Sequence, residues 1–147
     1  MTSRLTPVEQ SFRQLDVRIP SDVQYIESIV EQVVLRCAAR SFPRRHLALN
    51  IPVALTEALS NAILRGNHDD TERSVHVRAD VDAMRLVLEV RDEGSGFDLD
   101  ACTEDPTTPE NLLREDGRGL FLMRRLMDHV ERFSDGGNVV RLILNRA

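Results

Sequence analysis

At 147 residues and 41% hydrophobic content, the chain can close one substantial core and is too short for two ordinary ones. A net charge of −5 with 29% charged residues argues against nucleic acid as a partner, because neutralising several phosphates needs a basic face. Cys37 and Cys102, with no CxxC pair, argue against a zinc site or disulfide framework. The opening MTSRLTPVEQ has no apolar signal core and no run approaches the roughly 18 apolar residues of a membrane span, so no membrane is expected as a partner and cytoplasmic residence is the default.

Residues 1–11 read as a tail. Leu15, Val17 and Ile19 alternate with polar neighbours up to Pro20, which predicts an edge strand over 12–19. Ser21 with Gln24 three residues on has the form of a capping box, followed by Val23, Ile26, Ile29, Val30, Val33, Val34 and Cys37 at helical spacing as far as about Arg40. Pro52 fits only the first turn of a helix, so Asn50 is the expected cap of a second helix over 51–65. Leu55, Ala58, Leu59, Ala62 and Ile63 form its core stripe, Gly66 its left-handed stop, and Glu57 and Asn61 share one face.

Ser74–Asp80 and Met84–Arg91 alternate around a turn at Val81–Ala83 and predict an antiparallel hairpin. Residues 98–116 are acidic, contain Pro106 and Pro109, and form a long excursion of the kind that is functional or disordered. A third helix is expected from about Gly119, with Leu120, Phe121, Met123, Leu126 and Met127 at helical spacing. A second hairpin, His129–Ser134 and Val139–Asn145, closes around Asp135–Asn138. This order predicts an α+β, two-layer sandwich: a mixed, mostly antiparallel sheet with its helices on one face.

The candidate chemistry lies in three places. Asp92-Glu93-Gly94-Ser95-Gly96-Phe97 follows a strand, where absent side chains let the backbone turn and approach a ligand; alone, this is equally a strand-ending turn. Gly117-Arg118-Gly119 precedes a helix, where free N–H groups and the helix dipole favour an anion, or it is a hinge. Glu57 and Asn61 offer a carboxylate and an amide on adjacent turns. An amide oxygen suits magnesium, and a carboxylate can accept a hydroxyl proton.

Taken together and in order, TEALSNAILRGN, VRDEGSGFD and EDGRGLFLMRRLMD resemble the three nucleotide-binding boxes of the gyrase and histidine-kinase superfamily, the Bergerat ATP-binding fold. The chain is most similar to the anti-sigma factor serine-protein kinases of bacterial partner switching, over about residues 12–145. The resemblance implies ATP and Mg2+ as cofactors, Glu57 as catalytic base and Asn61 as the magnesium ligand. It implies Asp92 as acceptor for the adenine amino group, and Gly94, Gly96 and Phe97 beside the base. Gly117, Arg118, Gly119 and Leu120 would close over the phosphates, with Asn138 on the adenine side and 98–116 as a mobile ATP lid. It further implies a sigma factor or similar regulator as partner, an anti-anti-sigma antagonist carrying the target serine, and a homodimer for which the first strand's edge offers a surface. Arg65, Asn138 and Asp116 stand where relatives commonly have histidine, threonine and serine. A module that switches partners on ATP or ADP without phosphoryl transfer is the alternative reading.

Overall fold

The computed structural model describes residues 13–94 and 115–147, the side chains of 115–118 excepted. Five strands, β1 (Gln14–Pro20), β2 (Ser74–Val81), β3 (Arg85–Arg91), β4 (His129–Ser134) and β5 (Asn138–Asn145), form one sheet in the order β1-β2-β3-β5-β4. Every neighbouring pair is antiparallel, so the described sheet is the mostly antiparallel one expected, with no parallel pair among the described strands. β1 lies at one edge, as its alternation and terminal proline predict.

The pleat sorts side chains between two environments. Val75, Val77, Ala79 and Val81 of β2, Leu86, Leu88 and Val90 of β3, and Leu142 and Leu144 of β5 join the buried cluster. Against them pack α1 (Ile26–Ala39), α2 (Ile51–Asn61) and α3 (Glu115–Leu126) through Ile29, Val33, Leu55, Leu59, Leu120 and Met123. The other face carries a straight cross-strand row of alternating charge, Asp16, Arg78, Glu89, Arg141 and Glu131, directly opposed in register. Successive N–O separations are 3.6, 3.9, 3.0 and 3.3 Å. Each such pair is worth at most about 1 kcal/mol. Their sum matters less than their polarity, which leaves only one sheet face able to take the helices.

The helix starts differ from expectation. Ser21 is no cap: it is buried, its hydroxyl donates to the Ile63 carbonyl at 3.4 Å, and Asp22 caps instead, accepting from Gln24 N at 3.0 Å. The entry turn is a short 3-10 turn, Val23–Tyr25, which leaves Val23 half exposed rather than in the core. Asn50 is not a cap either; its backbone is helical, because a wide turn, His46–Asn50, precedes α2. Ile51 N–H bonds to the His46 carbonyl five residues back, and this wider register accommodates Pro52, which lacks a donor. The Asn50 amide instead donates to the Leu126 carbonyl at 2.6 Å, tying α2 to the end of α3.

Gly66 has no positive φ; it ends a second wide turn, Ala62–Gly66, and the left-handed residues are His68 and Asp69. The first hairpin turns one residue later than predicted. Asp82 accepts from the N–H groups of Met84 and Arg85 at 2.7 and 2.9 Å, and Met84 stays exposed. α3 begins at Glu115, four residues before the expected Gly119. A glycine costs a helix only about 1 kcal/mol, less than the tertiary anchoring of Leu120 and Met123 can override. Phe121 lies off that buried stripe, 41% exposed, with Arg125 over its ring at 5.9 Å.

The helical stretch His46–Gly66 is, by length and a mean hydropathy of 1.4, apolar enough to cross a membrane, which the run-length reading did not expect. Ile51, Leu55, Leu59 and Ile63 on it have no exposure and join the sheet's core, so this apolarity is that of a central core helix. Burial pushes the Cys37 thiol up to about 12, which leaves it a packing group.

Candidate functional site

β3 delivers Asp92 to the mouth of a slot between the sheet and the helices. Asp92 N donates to the Asn138 carbonyl at 3.0 Å, which extends the β3–β5 pairing by one rung and fixes the residue's backbone. The residue is 4% exposed. Oδ1 accepts from Gly94 N at 2.9 Å and from Asn138 Nδ2 at 3.1 Å. Burial pushes the Asp92 carboxyl above the ordinary range, and these Gly94 and Asn138 donors pull against it. The second oxygen, Oδ2, makes none of these bonds and remains an acceptor. The other walls are mainly apolar, Ala58 of α2, Ala62 of the turn after it, Met123 of α3, and Val90, Phe133, Val139 and Val140 of the sheet, with Asn61, Arg132, Ser134 and Asn138 as polar members.

Two glycines allow this arrangement. A Cβ on Gly66 would sit 2.0 Å from Asp92 Oδ2, and one on Gly94 would sit 1.7 Å from the Gly66 carbonyl oxygen. The end of α2 and the loop after β3 therefore touch backbone to backbone. We expect Gly66→Ala to expel the carboxylate and cost about 1–3 kcal/mol, the usual scale of overpacking. Equilibrium urea unfolding checks this, and unchanged stability would mean that the contact yields freely.

Asn67, fully buried, binds the same junction from behind. Its Oδ1 accepts from Glu93 N at 2.8 Å and its Nδ2 donates to the Ser74 carbonyl at 2.9 Å, which ties α2, β2 and the Asp92 loop together. Glu93 in turn accepts from the Ser74 N–H and hydroxyl, and those donors lower its pKa. Sequence reading attached no role to Asn67 and took Gly66 for a helix stop. Their importance arises from contacts with residue 92 or 93, some 26 positions away. The available signal was their place at the end of the TEALSNAILRGN motif.

Glu57 and Asn61, one turn apart on α2, are half buried and both face Gly119 of α3. A Cβ at Gly119 would lie 2.8 Å from Glu57 Oε2 and 3.3 Å from Asn61 Nδ2. Asn61 Nδ2 is buried and has no hydrogen-bond partner among the described residues. An unsatisfied buried amide costs on the order of 1–3 kcal/mol, and a polar ligand entering the slot can satisfy it. Gly117 and Arg118 fall in the first turn of α3, where backbone N–H groups have no intrahelical partner. Leu120 is 2% exposed and packs in the core. Asn138 borders the slot. Gly96, Phe97 and 98–114 of the expected lid lie outside the described residues, while 115 and 116 begin α3. Among the described residues no three His, Cys, Asp or Glu gather as a metal site.

The sequence matches, over residues 19–144, the family model described as the histidine kinase-like ATPase domain. It is 32% identical over 133 residues to the serine-protein kinase RsbW of Bacillus velezensis, spanning 87% of this chain and 82% of that one. The serine-protein kinase RsbW of Bacillus subtilis is 30% identical over the same length and coverage. The anti-sigma F factor of Bacillus thuringiensis is 30% identical over 110 residues, 74% of this chain and 75% of that one. With the antiparallel sheet, the helices on one face and the buried Asp92 beside Asn61, the match over most of its length means that this chain belongs to the histidine kinase-like ATPase domain family.

Proposed function

We propose that this chain is an anti-sigma factor and serine-protein kinase of a partner-switching system, acting in the cytoplasm, that uses ATP to phosphorylate a serine on an antagonist protein. The observation that carries the reading is the convergence of Glu57 and Gly119 on Asn61, which also lines the Asp92 slot. Adenine enters the slot with its amino group on Asp92 Oδ2 and Asn138 borders it, with Gly94, Gly96 and Phe97 as the further nucleotide-binding residues of this reading. The slot measures about 40 Å³, less than a purine needs, so a wall has to move; unbranched Met123 has the most freedom. The phosphates pass Asn61 and end at the first turn of α3, where the Gly117 and Arg118 N–H groups and the helix dipole favour negative charge. Gly119 lets them come close, Leu120 anchors that turn in the core, and residues 98–116 act as the lid.

A magnesium ion fits this donor set. One amide oxygen, from Asn61, suits a cation that keeps phosphate and water as its other ligands, and an Asn side chain can turn either atom to the cleft. When bound, it neutralises phosphate charge. Glu57 accepts the proton of the target serine as its oxygen bonds to the γ-phosphorus, while the bond from that phosphorus to the β–γ bridging oxygen breaks and ADP leaves. The chain then switches between a sigma factor and its antagonist, as a homodimer to which the β1 edge is available.

Incubation with Mg-ATP and candidate antagonist proteins, those of neighbouring genes first, tests the reading. Phosphoserine on the antagonist supports it, whereas nucleotide-dependent binding without phosphoserine leaves only the binding module. Gly119→Ala gives a sharper control. The added methyl meets the flexible end of Glu57, so the fold tolerates it and helix propensity improves by roughly 1 kcal/mol. The carboxylate is nevertheless displaced, and phosphotransfer falls on the order of 10²-fold with no drop in melting temperature. A melting temperature that collapses would instead make Gly119 structural.

A further inference from the structure

A second cleft opens between α2 and α3, on the other side of Asn61 from the slot. It measures about 390 Å³, and its floor is Glu57, Ser60, Asn61 and Gly119. Asn61 lines both cavities, but Glu57 lines only this one. With the base in the slot and the phosphates reaching this cleft only at Asn61 and Gly119, a hydroxyl that gives its proton to Glu57 has to arrive through the rest of the second cleft. The rest of its lining is Arg65 and two leucines, Leu64 from the turn after α2 and Leu122 from α3, 46% and 38% exposed. Each is the immediate neighbour of a core residue, Ile63 and Met123. Local packing thus leaves both rim leucines uncovered, one on each side of the path to Glu57.

We infer that the α2–α3 cleft is the acceptor groove, and that Leu64 and Leu122 select a target serine flanked by a large apolar side chain. The inference rests on the kinase reading for the identity of the occupant. Its geometric basis is continuity: the groove runs from the leucine rim, past Ser60, to the Glu57 carboxylate and the Asn61 amide that borders the nucleotide slot. A serine alone is too small and polar to be chosen by two leucines. A neighbouring Leu, Ile, Met or Phe on the substrate would bury against them, and such anchors dominate recognition when water is excluded around them.

The test uses the full chain, the same candidate antagonist proteins, and a non-hydrolysable ATP analogue. The double substitution Leu64→Ser with Leu122→Ser should weaken antagonist binding about tenfold or more, while ATP-analogue affinity and melting temperature stay unchanged. Leu35→Ser, at an exposed leucine of α1, should change nothing. Replacing the apolar residue beside the antagonist's target serine by Ser should cause a similar loss, and the two losses should not add, because they remove one contact. Equal binding by the double variant, additive losses, or no binding by the unmodified chain would overturn the groove. A melting temperature that falls by several degrees would assign the leucines to packing within the chain and overturn it equally. Binding with the expected losses, but no phosphoserine when Mg-ATP replaces the analogue, keeps the groove and removes the kinase reading.

Discussion

Glu57→Gln should reduce phosphotransfer to the antagonist serine by about 10²–10⁴-fold, the usual worth of a positioned general base, and leave ATP affinity nearly unchanged. The amide has the volume and shape of the carboxylate, so packing against Gly119 and the place beside Asn61 are preserved. What is lost is the capacity to take the serine proton. Glu57 is absent from the walls of the slot that receives the base, so nucleotide binding has no reason to follow. The expected signature is a fall in kcat with KM for ATP held, read by phosphotransfer from labelled ATP alongside direct nucleotide titration. Retained phosphotransfer would remove Glu57 from the chemistry. Equal losses in turnover and ATP affinity would make it a ligand of the nucleotide instead.

The fold was legible where the sequence repeats a period. Val75, Val77 and Ala79, and Leu86, Leu88 and Val90, alternate without exception, and the pleat leaves them one arrangement against the helices. Helix starts were less legible, since they depend on which of several capable side chains finds a donor. Ser21 and Asp22 can both cap, and only the neighbouring Ile63 carbonyl decides that Ser21 is taken. Asn50 has the composition of a cap and the position of a helix interior, because a wide turn upstream is invisible in residue types. At the site, Glu57, Asn61, Asp92 and Gly119 stand out by motif. Gly66 and Asn67 close the first motif, but it did not reveal their role, because their work is done on the Asp92 loop across the fold. The same holds for Leu64 and Leu122. The spacing put their neighbours Ile63 and Met123 in the core and left these two off the stripe, but it gives an uncovered leucine no role.

Asp92→Asn should weaken ATP binding about 10–100-fold, which corresponds to the roughly 1.5–3 kcal/mol of a hydrogen bond to a charged group. The asparagine oxygen can keep the bonds from Gly94 N and Asn138 Nδ2. Its amide nitrogen then replaces Oδ2 and turns a donor toward the adenine amino group, donor against donor. The same nitrogen can donate to the keto oxygen of guanine, so the preference for ATP over GTP should narrow. The pH dependence has a defined sign. Burial raises the Asp92 pKa in the folded state. The group's contribution to stability is therefore complete below the ordinary carboxylate pKa of about 3.9 and is lost as pH rises through the raised value. At neutral pH the ionised carboxylate is a cost to the nucleotide-free fold, and the variant should be at least as stable as the original, with the difference shrinking in acid. ATP affinity runs the other way, falling as pH drops through the raised pKa, because protonation converts the acceptor. This fall begins at higher pH than an exposed aspartate would give, and the asparagine variant should show no such step. Calorimetric titration of ATP and GTP, with urea unfolding, both across pH, reads all of these. Unchanged ATP affinity in the variant would remove Asp92 from base recognition, and a pH step that persists without the carboxylate would assign it to another group.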